Sequence, residues 1–401
     1  MLVGLGFNPL YAAGLCLIAN TAPVAFGSIG IPILVASQVT GIPEMAISQM
    51  VGRTLPLLSA VLPFYLIVLM AGLQKTKEVL PAVLVTGISF AFFQWYSANY
   101  LGPSLPDVIA GIASIICLMI FLKFWKPKNI WRFKEETEPE QTVKANYSTG
   151  QIIKAWSPFV VLTIMILCWG LPPIKSALDS VGLVKFDFPG LHNKIQYGEE
   201  HDLLAQVFKI NFLSTPGTAI FISAIVVLPL IGMSFQQGLK VFIATIKQLK
   251  FPIITITSVL GFASIVNNSG IAITMAESLA ATGVLFPFFS PILGWLGVFI
   301  TGSDTSSNAL FGKLQTTTAS SIGVDPVVAI GANTSGGVVG KMISPQSIAV
   351  AAAAGNLIGK EAQLFRFTVK HSFIMLVIVC LITVVQAYLL DRVIPAYVLG
   401  S

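Results

Sequence analysis

The sequence predicts an all-α polytopic membrane protein, an inverted-repeat transporter with broken helices and re-entrant hairpins. Three observations lead to that fold class. The chain is 55% hydrophobic and only 10% charged, with a mean hydropathy of +0.84, whereas a soluble domain carries about 25% charged residues. Several apolar runs reach the roughly 20 residues that a helix needs to cross a bilayer core. A motif is also present twice: Ala19, Asn20, Thr21, Gly27 and Pro32 recur as Ala332, Asn333, Thr334, Gly340 and Pro345, five identities in fourteen positions without a gap. Polar side chains and helix breakers are costly inside apolar runs. A pair of Gly/Pro-interrupted hydrophobic segments in corresponding places of two halves points to the binding site of a secondary transporter.

Taken in order, the chain opens in apolar sequence that runs to Ala19 and breaks at Asn20 to Pro23, and residues 28 to 38 form a second short piece. Neither is a full span. No basic leader precedes them, so residues 1 to 7 do not read as a signal peptide. Residues 46 to 72 cross, with Arg53 inside the span and Pro56 and Pro63 placed to kink it, and residues 79 to 97 and 105 to 125 are ordinary spans. A charged loop follows, with Lys126, Lys128, Arg132 and Lys134 among Glu135, Glu136, Glu138 and Glu140. It separates a remainder of the first repeat (1–122) from the second (156–401), with 123–155 as a cytoplasmic linker. Further spans are expected at 156 to 173, 217 to 233 and 372 to 390, with a polar connection from 174 to 215. Between 252 and 301 the apolar sequence is interrupted at Asn267 to Gly270, Pro287 and Pro291.

The formal net charge is +6, yet the basic residues cluster at the ends of apolar spans, the pattern of cytoplasmic loops, and no nucleic-acid partner is needed to explain them. Counting Lys and Arg places Lys75, Lys77, 123–154 and Lys240 to Lys250 inside. Residues 98–104, 174–215 and the carboxyl terminus then lie outside. Cys16, Cys117, Cys168 and Cys380 lie in apolar segments without paired spacing, as packing thiols do. His192 and His201 lack ligand spacing, and no metal or organic cofactor is expected. Gly336 to Met342 approaches a phosphate-binding loop, but no Ser or Thr follows Lys341, which argues against ATP-driven transport.

The densest polar cluster, Thr301 to Asn308, follows the apolar stretch Phe288 to Ile300. It cannot face lipid, because each unsatisfied polar group there would cost several kcal/mol (about 2 to 7). A re-entrant hairpin around 286–321 is the simplest geometry. Its tip would present Ser303, Thr305, Ser306, Ser307 and Asn308, with backbone N–H groups, to a small carboxylate or hydroxy acid. Asn333 and Thr334, with the broken piece up to Pro345, would supply the opposing wall, and Asn20 and Thr21 the same in the first half. Gly336, Gly337 and Gly340 would let backbone depart from helix and a ligand come close. Lys341 is the candidate counter-charge, the alternative being a side chain that snorkels to an interface. For Asp304 the readings are proton carrier, helix cap or partner of Lys341. Arg53 is suited to bidentate carboxylate binding, to snorkelling or to a pair with Glu44; His371, next to Lys370, is expected at an interface.

Asn20-Thr21-Ala22-Pro23-Val24-Ala25-Phe26-Gly27, Gly302 to Phe311, Gly340 to Ser347 and Leu364 to Ser372 resemble the bacterial L-lactate permease family, and the likeness covers essentially the whole chain. The resemblance implies a multi-pass protein of the bacterial cytoplasmic (inner) membrane that imports L-lactate, and glycolate or related 2-hydroxy monocarboxylates, with protons. Membrane lipid surrounds such a protein, and an oligomer is compatible with it. Asn20-Thr21 and Asn333-Thr334 are also similar to paired motifs at the hairpin tips of sodium/dicarboxylate ion transporters, although Ala19 and Ala332 stand where those have serine. Family members are longer, so the resemblance implies a missing amino-terminal part that includes the first-repeat counterpart of Thr301 to Phe311. The alternative reading is therefore an inactive remnant or partial subunit that needs a separate amino-terminal portion. A membrane-embedded enzyme is disfavoured, since no nucleophile and base accompany the polar cluster.

Overall fold

Prolines and glycines decide where most helices of this chain begin and turn. Proline occupies the first turn of α1 (Pro9–Ala19), α4 (Pro106–Phe124), α7 (Pro216–Ile231), α10 (Phe286–Thr301) and α12 (Pro326–Gly340), where its missing N–H has no intrahelical partner to lose. Left-handed glycines stop α2 (Gly27–Thr40) at Gly41, α7 at Gly232 and α10 at Gly302. The computed structural model describes residues 7–127, 148–197, 202–203, 206–357 and 359–398. The charged run from Lys128 to Glu140, and Glu199, Glu200 and His201, lie outside the described residues, as do residues 1–6.

The remaining helices are α3 (Glu44–Tyr100), α5 (Thr149–Gly170), α6 (Pro172–Gly182), α8 (Phe235–Asn268), α9 (Ile271–Ala280), α11 (Asp304–Ser321), α13 (Pro345–Ala354) and α14 (Glu361–Tyr388). Among the described residues, α3, α4, α5, α14, and α10 with the 3-10 turn before it are long and apolar enough to cross a membrane. The protein is thus all-α and polytopic.

The chain divides into two compact units, one drawn from residues 1–142 and 256–401 and the other from 143–255. In the second unit α5 packs on α7, and Trp169 Nε1 donates to the Leu213 carbonyl at 2.9 Å. Two short antiparallel ladders, β1 (Val184–Asp187) with β4 (Val207–Ile210) and β2 (Gln196–Tyr197) with β3 (Asp202–Leu203), form within the connection expected to be merely polar. His192 Nδ1 reaches the Gln206 carbonyl at 3.1 Å there.

The first unit differs from expectation in instructive ways. The spans expected at 46–72 and 79–97 are two antiparallel arms of α3, and the backbone leaves helical geometry at Gly72 (φ 77°, ψ 164°), not at Pro56 or Pro63. The arms meet through small residues: a methyl on Gly52 would strike Ala98, and one on Gly87 would strike the Ala60 carbonyl. Ser48 Oγ donates to the Ala98 carbonyl at 2.8 Å, and Ser59 Oγ to Gln94 Oε1 at 2.7 Å.

The break expected at Asn333 is absent, for α12 runs unbroken from Pro326 to Gly340 with Val327 to Gly340 all buried. Its glycines serve contact, not freedom. Added methyls on Gly336 and Gly340 would meet the carbonyls of Pro291 and Trp295 in α10, and one on Gly294 would meet that of Asn333. The chain breaks later, in the 3-10 turn Lys341–Ile343. In the first copy it breaks at Asn20 itself, the C-cap of α1. Helix α14 begins at Glu361, well before the expected residue 372, because Arg366 and Lys370 are accommodated near a helix end, from which long basic side chains reach a polar layer. The carboxyl-terminal segment is anchored where Tyr397 Oη donates to Asp325 Oδ1 at 2.7 Å, while Asp325 also caps α12. Burial and that bond hold the Tyr397 phenol well above its ordinary pKa.

Candidate functional site

Helices α10 and α11 form a hairpin whose turn is two residues long. Gly302 (φ 69°) permits the reversal, and a side chain there would run into Gln346. Ser303 is the N-cap of α11, its Oγ accepting from Ser306 N at 3.3 Å. The capping role considered for Asp304 therefore belongs to Ser303. Capping leaves the N–H groups of Asp304 and Thr305 without intrahelical acceptors, at the positive end of the helix dipole.

Beside this tip lies a cleft of about 290 Å³ lined by Asn20, Pro23, Gly27, Ser303, Asp304, Thr305 and Lys341, among others. The break in the first motif copy and the hairpin of the second half thus share one space. Asp304 is 4% exposed, and neither carboxylate oxygen has a hydrogen-bond partner among the described residues. It is pressed against Gly337, where any side chain would collide with Oδ1. The nearby charge acting on it is the Lys341 ammonium. That ammonium donates to the Gly302 carbonyl at the hairpin tip. Its position follows from the end of α12 at Gly340, after which Ser344 Oγ accepts from Ser347 N at 3.3 Å to start α13.

Behind the cleft, the remaining predicted residues form a buried network. Asn308 Nδ2 donates to the Pro32 carbonyl of the first copy at 3.0 Å, and Asn308 Oδ1 accepts from Asn333 Nδ2 at 2.8 Å and Thr334 Oγ1 at 3.0 Å. Asn333 Oδ1 in turn accepts from Gln315 Nε2 at 2.5 Å, and Gln315 Oε1 from Ser290 Oγ. Ser307 Oγ donates to the Gly294 carbonyl at 3.1 Å. Asn308, Asn333, Thr334 and Ser307 are fully buried and Ser306 nearly so, and none of the five lines the cleft. Thr21, buried with an unpartnered hydroxyl, lines a separate apolar cavity next to Tyr65. Of the predicted set, then, Asn20, Ser303, Asp304, Thr305 and Lys341 come together at the cleft, Ser307, Asn308, Asn333 and Thr334 bond to the helices behind it, and Thr21 lines a separate cavity.

Gln315 and Ser290 were not singled out by sequence. Gln315 sits before Thr316, Thr317 and Thr318, and a polar run of that kind carries no sign of which member faces inward. Arg53 lies away from this cleft, with Nε donating to Asn99 Oδ1 at 2.9 Å and Nη1 to the Val393 carbonyl at 2.5 Å. His371, expected at an interface, is 4% exposed and pairs through Nδ1 with Tyr65 Oη at 2.5 Å, because α14 starts ten residues before it.

Comparison with known proteins adds a second line. The family model described as L-lactate permease matches residues 1–390. The L-lactate permease of Bacillus subtilis (strain 168) is 52% identical over 420 residues, covering 98% of this chain and 74% of the relative. The glycolate permease GlcA of Escherichia coli (strain K12) is 50% identical over 410 residues, covering 97% and 73%. The solved YdaH transporter of Alcanivorax borkumensis aligns with 92% of this chain and 84% of its own at 12% identity and a TM-score of 0.37, a likeness too low to carry an argument.

Proposed function

The chain belongs to the L-lactate permease family, and from that premise we propose that it carries L-lactate, glycolate or a related small 2-hydroxy monocarboxylate across the bacterial cytoplasmic membrane together with a proton. The observation that carries this reading is the cleft in which Asn20 faces Ser303, Asp304, Thr305 and Lys341. A permease fits a site of one cation, one carboxylate, hydroxyls and an amide in which, among the described residues, no hydroxyl is hydrogen-bonded to the carboxylate.

The substrate carboxylate pairs with the Lys341 ammonium, which exchanges its bond to the Gly302 carbonyl for a charge-assisted one. The 2-hydroxyl and the second carboxylate oxygen are met by Ser303, Thr305 and Asn20, and by the open N–H groups at the start of α11. Charge balance then supplies the coupling. Without substrate, the Lys341 ammonium is the charge available to offset an ionised Asp304. When the substrate anion takes up the cation, the buried and unpartnered carboxylate of Asp304 is stable only with a proton. Empty and loaded forms carry the same net charge, so substrate and proton cross together. Alternating access then moves the break at Asn20 against the hairpin of α10 and α11, both within the first unit.

The test is uptake of labelled L-lactate into vesicles containing the protein. Acidifying the outside should stimulate uptake, an uncoupler should abolish accumulation, and unlabelled glycolate should compete. Uptake that ignores both the pH gradient and the uncoupler would rule out proton coupling, and lack of competition by glycolate would rule out the substrate class.

A further inference from the structure

A second groove of the first unit holds chemistry that transport of a hydroxy acid does not use. It lies between the two arms of α3, at the end where Tyr100 gives way to the turn at Leu101–Ser104, and has a volume of about 650 Å³. Two guanidiniums line it, those of Arg53 and Arg392, and among the described side chains no acidic one does. Arg53 is fixed by Asn99 and by the Val393 carbonyl, bonds that use Nε and Nη1; its other terminal nitrogen has no acceptor among the described residues. Trp95 and Tyr100 stand at the same level, with Trp95 set edge-on to Tyr100 at 5.9 Å. Tryptophan and tyrosine at the end of an apolar span mark the membrane–water interface.

Along the same groove, moving away from the arginines, the walls turn apolar and face outward. Leu57 is 55%, Ile88 59% and Phe92 53% exposed. The layout is therefore amphipathic along one line, with cationic head, aromatic collar and apolar track, each in the order in which a phospholipid presents its own parts. A hydroxy acid has nothing to place on the track, and a zwitterionic lipid offers the same phosphate but brings its own cation beside two guanidiniums.

We infer that this groove is a binding site for one anionic phospholipid, its phosphate held by Arg53 and Arg392 and an acyl chain laid against Leu57, Ile88 and Phe92. The site lies outside the substrate cleft, so it acts on the stability of the α3 arms and of the carboxyl-terminal segment that Val393 and Arg53 join.

The experiment uses the full chain purified in neutral detergent, with dioleoyl phosphatidylglycerol and dioleoyl phosphatidylcholine added separately and retention read by native mass spectrometry, alongside the melting temperature. Phosphatidylglycerol should be retained and should raise Tm, and phosphatidylcholine should do neither. Arg392→Gln, which removes a charge without touching the bonds that Arg53 makes, should weaken phosphatidylglycerol retention about fivefold. Phe92→Ala should weaken it as well, while Lys240→Gln, in the other unit, should leave it unchanged. Equal retention of the two lipids, or retention indifferent to Arg392→Gln and Phe92→Ala alike, overturns the assignment. So does displacement of phosphatidylglycerol by millimolar lactate or inorganic phosphate, which would make the groove a site for small anions.

Discussion

Lys341 and Asp304 were legible from sequence because ionisable side chains inside apolar runs are too costly to be incidental. Asn308, by contrast, was expected at the substrate, whereas its amide joins the Pro32 carbonyl to Asn333 and Thr334. These residues separate in experiment. Lys341→Ala should raise the apparent KM for lactate by roughly tenfold or more, the worth of a charge-assisted bond, with little change in thermal stability. Asp304→Asn should permit lactate exchange but abolish accumulation driven by a pH gradient. Asn308→Ala should instead lower stability, since it strands buried groups at about 1 to 3 kcal/mol each. A thermal melt followed by size-exclusion fluorescence distinguishes the two kinds of residue. If Lys341→Ala melts as early as Asn308→Ala, the lysine is structural and its binding role is lost.

The helical spans and the hairpin could be read from hydropathy and from Gly302-Ser303, because a break between an apolar and a polar helix is written in composition. What could not be read is why Gly336 and Gly340 are glycine. A glycine that frees the backbone and one that admits a neighbouring helix look the same in one sequence. Here they admit α10, whose carbonyls at Pro291 and Trp295 occupy the space a side chain would need. The repeated motif misled for the same reason: Gly27, in the place corresponding to Gly340, has open space around its Cα, and the helix ends in the two copies at different points. Gly336→Ala should therefore force α10 and α12 apart and destabilise the protein by about 1 to 3 kcal/mol or more. Gly27→Ala should melt like the parent. Equal melting of both variants would show that α12 does not sit against α10 as described.

For the whole molecule, the distribution of charge gives an orientation to test, with Lys75 and Lys77 inside and residues 98–104, which carry no Lys or Arg, outside. In a background with Cys16, Cys117, Cys168 and Cys380 replaced by alanine, Ser104→Cys should react with a membrane-impermeant maleimide added to intact cells. Lys75→Cys should react only after permeabilisation. The opposite pattern would invert the protein, and with it the side from which the substrate cleft fills. The same pair of positions bears on how the protein reaches the membrane. Gly72 turns α3 back on itself at a single residue, and the arms already cover each other's small-residue faces through Gly52, Ala60, Gly87 and Ala98. Arms matched in this way should leave the insertion machinery together as one closed helical pair. In the orientation that puts Lys75 and Lys77 inside, the residues just after Gly72 then never have to be translocated.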